Sequence, residues 1–274
     1  MPIKDILLHL DADGAAQPAI DFAISLATQT GAHLTAAGIA VEYPPLAASL
    51  PGGGPGLGGM AALETFAQEN RQAIQRAGEA FIANAPTTLQ PEFTLIQGYE
   101  GAARRDFARL ARYFDLSVIG QGKTQTDVVL ETLFDSGRPT FIVPTAHRGG
   151  AKLERAMVCW DGGVQAARAL ALAMPLLVLC ETIEIVTVAK HRFPRREPIL
   201  DIARHLERHG LMVSWTSMPD AGDVAHSLLR HAADTGAGYV VMGAYGHWRL
   251  TEFIIGGTTR SILSSMTTPV LTAH

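Results

Sequence analysis

Residues 6–41, ILLHLDADGAAQPAIDFAISLATQTGAHLTAAGIAV, decide the fold of this chain. Residues 6–10 are a short apolar run, as in a strand buried on both faces of a parallel sheet, and Asp11 ends it. Between Pro18 and Thr30, the residues Ile20, Ala23, Ile24 and Ala27 recur at helical spacing, and Gly31 stops the helix. Residues 33–41 then form a second strand. Strand, helix and strand in this order predict a right-handed crossover and a parallel sheet.

The same succession returns in AMVCWDGGVQAARALALAMPLLVLCETIEIVTVA, residues 156–189. Here the strand is 156–160, closed by Asp161, the helix 164–179 and the second strand 184–189. The two aspartates stand 150 positions apart, and Asp11 to Ile39 spans 28 positions against 27 from Asp161 to Val188. Each half also closes alike. LSVIG (116–120) and YVVMG (239–243) are strands ending in glycine, while PTFIV (139–143) and PVL (269–271) are final strands introduced by proline. A repeat this long predicts two tandem domains, 1–148 and 152–274, joined near the Gly-rich stretch HRGGA at 147–151.

Composition narrows the function classes. With 47% hydrophobic and 18% charged residues in 274, the chain can bury a sizeable core and is not disordered. A net charge of −4 and a pI near 6.2 argue against a nucleic-acid partner. Cys159 and Cys180 sit in apolar runs without a CxxC pair, so neither a zinc knuckle nor a redox dithiol is expected. The 11-residue run LALAMPLLVLC contains Pro175 and is short of the ~20 residues that span a bilayer. The early Asp11 leaves no signal-type apolar region. The expectation is a cytoplasmic protein with no membrane partner.

The chemistry is concentrated in VVMGAYGHWRLTEFIIGGTTRSIL, residues 240–263. Gly243 and Gly246 enclose two residues, nine more precede Gly256, and Gly257, Thr258 and Thr259 follow. Glycines let a backbone approach an anion and turn successive amides toward it. A helix starting near Gly257 adds its free N–H groups and positive dipole end, with the threonine hydroxyls as caps or phosphate donors.

This G-x2-G-x9-G spacing, followed by small hydroxyl residues, resembles the ATP-binding signature of the universal stress protein family. The opening strand with its terminal aspartate, the Gly-Ala-His stretch at 31–33 and the closing Pro-Val-Leu strand resemble that family too. The likeness covers both halves except residues 43–59. It implies an α/β fold of two tandem doubly wound domains, each a five-stranded parallel sheet with helices on both faces. It further implies adenine nucleotide as the ligand, namely ATP, alone or with Mg, at the carboxyl ends of the strands. By the same resemblance, Asp161 faces the ribose or adenine and Val188 bonds adenine through its backbone. Gly243, Gly246, Gly256, Gly257, Thr258 and Thr259 then hold ribose and phosphates. The family usually has Ser or Thr directly after the last motif glycine; this chain has Gly257, which removes one side-chain contact but keeps the amide. Arg249, inside the loop, is either a phosphate contact or a solvent-facing residue. The resemblance also implies that the final strands of the two domains, 141–143 and 270–271, pair edge to edge as an intramolecular pseudo-dimer, with a homodimer of chains as a further step.

The first half lacks the loop. Gly120 to Pro139 spans 19 positions against 26 from Gly243 to Pro269, and the remainder, GQGKTQTDVVLETLFDSGRP, brings in Glu131 and Asp135. A Walker A reading of Gly122-Lys123-Thr124 fails because position 117 is serine rather than glycine. The first domain therefore reads as a degenerate repeat. Residues 43–59, YPPLAASLPGGGPGLGG, contain G-x-G-x-x-G at Gly54, Gly56 and Gly59, but the surrounding prolines favour a mobile loop. The basic run HRFPRR (191–196) reads as a solvated loop, and Asp223 as a helix cap rather than a metal ligand beside Asp220 and His226.

No catalytic motif and no metal set is visible: there is neither G-x-S-x-G nor H-E-x-x-H, and Asp161 is the lone candidate for metal or water. The leading expectation is a stress-response nucleotide switch, at most a weak ATPase. The alternatives are an adenine-nucleotide hydrolase and a structural dimerisation protein that binds no nucleotide.

Overall fold

The computed structural model describes residues 1–12, 17–43, 57–122, 125–189, 198–220, 222–244 and 257–274. In chain order the elements of the first half are β1 (Asp5–Leu10), α1 (Gln17–Thr30), β2 (His33–Glu42), α2 (Leu57–Asn84), β3 (Glu92–Tyr99), α3 (Glu100–Ala111), β4 (Leu116–Gly120), α4 (Thr126–Asp135) and β5 (Thr140–Val143). The second half follows with β6 (Arg155–Cys159), α5 (Val164–Leu177), β7 (Thr182–Ala189), α6 (Pro198–Arg208), β8 (Val213–Pro219), α7 (Val224–Asp234), β9 (Tyr239–Gly243), α8 (Gly257–Ser265) and β10 (Val270–Ala273).

The strands form a ten-stranded sheet in the order β3-β2-β1-β4-β5-β10-β9-β6-β7-β8. Every pairing is parallel but one: β5 meets β10 antiparallel, with Phe141 opposite Leu271 and Ile142 opposite Val270. Side chains alternate across the strands, and each face carries its own core. Ile6, Leu8 and Leu10 join Phe22 of α1, Phe81 of α2, Leu170 of α5 and Ile202 of α6. Leu7 and Ile119 join Phe107 of α3, Val128 of α4, Leu228 of α7 and Ile262 of α8. The architecture is a mixed α/β fold with a mostly parallel sheet between two helical layers, and each core draws on both halves of the chain.

Local chemistry explains the boundaries. Gly31 has φ 62°, and Ala32 N–H reaches the Ala27 carbonyl at 3.0 Å, a left-handed stop for α1. Asp223 caps α7 by accepting from His226 N–H at 2.9 Å, and the described residues contain no group of three or more metal-type ligands. Residues 44–56 lie outside the described residues, as do Gly54 and Gly56, while Leu57–Asn84 is helical; Gly59 thus belongs to the first turn of α2, not to a loop. The Gly122-Lys123-Thr124 reading and the run at 191–196 also fall on undescribed residues, apart from Gly122. Among the described residues no helix is long and apolar enough to cross a membrane.

Among the buried polar residues, His9 bears on stability. His9 on β1 is 6% exposed, its ring meets Phe107 edge-on at 5.2 Å, and its Nδ1 has no hydrogen-bond partner. Burial lowers its pKa to about 4, against an opposing pull from Asp11. The unfolded chain therefore takes up a proton near pH 6.5 that the folded chain refuses until about pH 4. Stability is expected to fall as pH drops through that window, by about 3 kcal/mol from this residue. Urea titrations at pH 7 and pH 4.5 check it: His9→Leu should lose less stability between the two than the parent. Equal losses would show that the histidine does not carry the effect.

Candidate functional site at the second switch point

In an open parallel sheet, ligands collect where consecutive crossovers leave a strand in opposite directions, beyond the carboxyl ends. The strand order makes two such points, between β1 and β4 and between β6 and β9. Related sequences lead to them, but their chemistry differs.

At the second point β6 delivers Trp160 and Asp161. Gly162 turns the chain with φ 74°, and Asp161 Oδ1 accepts from Gly163 N–H at 2.8 Å. The residue is exposed. Gly163 then caps α5 without any side-chain hydrogen bond, which leaves the first-turn amides of a 14-residue helix without a side-chain acceptor. α5 begins hard against the end of β9. A Cβ at Gly243 would lie 2.5 Å from the Ala166 nitrogen and 2.5 Å from the Gln165 carbonyl carbon, so only glycine fits.

Val188 stands beside this opening. The β6–β7 ladder ends at Cys159 opposite Val186, and Trp160 N–H gives a last bond to the Val186 carbonyl at 2.8 Å. Two residues on, Val188 directs its N–H and C=O to the same side, past the point where β6 turns away. Its side chain packs on the core with Cys159. Burial, and then the nearby Asp161 carboxylate, push the Cys159 thiol up to about 12. It is a neutral thiol, not a nucleophile. Sequence reasoning passed over Trp160. Its indole Nε1 is buried without a hydrogen-bond partner directly before Asp161, a donor that polar groups of a ligand would satisfy.

Of the remaining expected residues, Gly257 opens α8, whose backbone includes Thr258, and Thr259 is buried at 7% exposure. Gly246, Arg249 and Gly256 lie outside the described residues. The structure thus brings Asp161, Val188 and Gly243 to one end of one sheet.

The first switch point is filled by the chain itself. Asp11 Oδ1 accepts from Ala12 N–H at 2.7 Å, and Oδ2 accepts from the Gln125 side-chain amide. Gln125 is buried, at 5% exposure, and lies so close over Gly122 that a Cβ there would collide with its amide. The connection between β4 and α4 is residues 121–125, against 244–256 between β9 and α8, whereas the helices are of similar length, 10 and 9 residues. The shortening seen in the sequence falls on the loop and spares the helix.

These features have relatives. No family model matches the chain. In sequence it is 25% identical over 299 residues to universal stress protein Slr1230 of Synechocystis sp., covering 98% of this chain and 99% of that one. In fold it is similar to a universal stress protein from Archaeoglobus fulgidus, with TM-score 0.66, 16% identity and coverage of 98% of this chain and 95% of that chain. It is also similar to a functionally unknown protein from Pseudomonas aeruginosa, with TM-score 0.55, 16% identity and coverage of 99% and 92%. By sequence and fold, the chain resembles the universal stress proteins over nearly its whole length.

Proposed function

We propose that this chain is a tandem universal stress protein that binds one adenine nucleotide, ATP, in its second half, and acts as a nucleotide-dependent stress-response switch. The division into domains 1–148 and 152–274 belongs to this proposal, with the antiparallel β5–β10 pair as the seam of a pseudo-dimer. The observation that carries it is the contrast between the switch points: Asp11 is closed over by Gln125, whereas Asp161 is exposed beside an uncapped helix and a glycine-ended strand.

In this reading Asp161 takes a ribose hydroxyl through its carboxylate, and the Val188 backbone reads an adenine edge. Gly243, Gly246, Gly256 and Gly257, with Thr258 and Thr259 at the start of α8, supply amides and dipole to the phosphates. The donor set suits an anion with a polar heterocycle. Arg249 stays a secondary phosphate contact. Hydrolysis is not part of the proposal, and Cys159 beside the site is a neutral thiol. A switch further requires that the nucleotide bind one conformation or assembly better than another.

Protein purified without added nucleotide, then denatured, is expected to release ATP in up to equimolar amount, read by mass spectrometry. ADP or AMP in its place would favour the weak hydrolase. No nucleotide, together with no binding of added ATP, would favour the structural dimerisation reading and overturn this one.

A further inference from the structure

Two sets of contacts cross the β5–β10 seam reciprocally. From the first half, Gln121 Nε2 donates to the Leu263 carbonyl in the last turn of α8 at 2.7 Å, while its Oε1 accepts from Thr145 N–H at 3.4 Å. From the second half, His274 Nδ1 donates to the Ala244 carbonyl at 3.2 Å. The same ring meets Phe134, in the last turn of α4, edge-on with centroids 4.6 Å apart. Gln121 and Ala244 are equivalent positions. Each follows a strand-ending glycine, and each gives its N–H to the final strand of its own half, to Val143 at 2.7 Å and to Ala273 at 2.9 Å. At one of the two the side chain is a long amide that reaches across the seam; at the other it is a methyl group.

We propose that the first half is the frame of the second half's phosphate site, with Gln121, Phe134 and His274 as positioning residues. This rests on the nucleotide reading above. Gln121 pins the end of α8, and the Phe134–His274 pair pins Ala244, so the helix and the strand end that face the phosphates are both fixed before a ligand arrives. Groups fixed in advance lose less conformational entropy on binding, and that difference appears as affinity. The proposal gives the short connection 121–125 a use. A half without a phosphate loop places Gln121 against the seam, where it serves its neighbour's site.

The test separates phosphate from base. Gln121→Met keeps the side-chain length and loses the donor; His274→Phe keeps the ring on Phe134 and loses the Nδ1–H. Calorimetry with ATP and with adenosine should show each variant binding ATP about three- to tenfold more weakly, the worth of one such bond. Adenosine, which lacks the phosphates that α8 and the strand end face, should bind as it does to the parent. Unchanged ATP affinity, or an equal loss for adenosine, would overturn the frame, because a general loss of structure does not distinguish the two ligands. If the parent protein binds neither ligand, the nucleotide reading fails instead. Hydrogen exchange of α8 amides in the ligand-free proteins then decides the frame alone: faster exchange in Gln121→Met supports it, and unchanged exchange overturns it.

Discussion

Phe141→Ala is expected to cost about 3–5 kcal/mol of unfolding free energy, the range for a large ring removed from a packed core. Phe141 lies on β5 at the seam, fully buried and opposite Leu271 of β10. Its ring meets Phe22 of α1 at 4.9 Å and Tyr239 of β9 at 5.7 Å, both edge-on. One side chain thus joins helix α1 of the first half to strand β9 of the second, and a small residue leaves a cavity bounded by rigid sheet that cannot collapse. The loss should reach both halves at once. Guanidinium titrations followed by the fluorescence of Trp160 and Trp215 and by circular dichroism should shift together to lower denaturant. A loss below about 1 kcal/mol would mean that the seam is not a shared core. So would an early unfolding of one half with the other unmoved.

The second large effect concerns binding. Gly246→Val combined with Gly256→Val should abolish retention of nucleotide, lowering ATP affinity by about a hundredfold or more. Two blocked charge-assisted backbone contacts amount to that much. Valine resists positive φ and places a branched side chain where an anion must approach the backbone. Both positions lie in the sequence between β9 and α8, so circular dichroism and the melting temperature should stay near the parent values. Undiminished ATP retention in a folded double variant would remove the glycines from the site. Gly243 is a poorer probe for this purpose, since a Cβ there drives directly into α5 and would disturb the fold as well.

Much of the fold was legible because it is written in near neighbours. The spacing of Ile20, Ala23, Ile24 and Ala27 marked α1, and the apolar runs before Asp11 and Asp161 marked β1 and β6. Trp160 proved to lie just past its strand. Other elements were not read. The edge strands β3 and β8 are half exposed, so residues such as Thr94 and Trp215 do not form an apolar run. Helix α2 follows directly on a Pro- and Gly-rich stretch that masked its start, although Ile74, Ala77 and Phe81 carry a helical period.

The sequence by itself determined the βαβ order, the duplication, and the fact that one half lacks seven residues between its last glycine-ended strand and its final proline. These follow from the spacing of apolar side chains and from counting, which need only local information. Only the tertiary structure decided that β5 and β10 run antiparallel in one continuous sheet, that Gln125 closes over Asp11, and that Asp161 stays open. Asp11 and Asp161 look alike in the sequence because each ends an opening strand. What separates them is a side chain more than a hundred positions away from Asp11, brought there by packing across the whole core. Such a pairing is selected by the global fold, and no period or spacing near either aspartate encodes it.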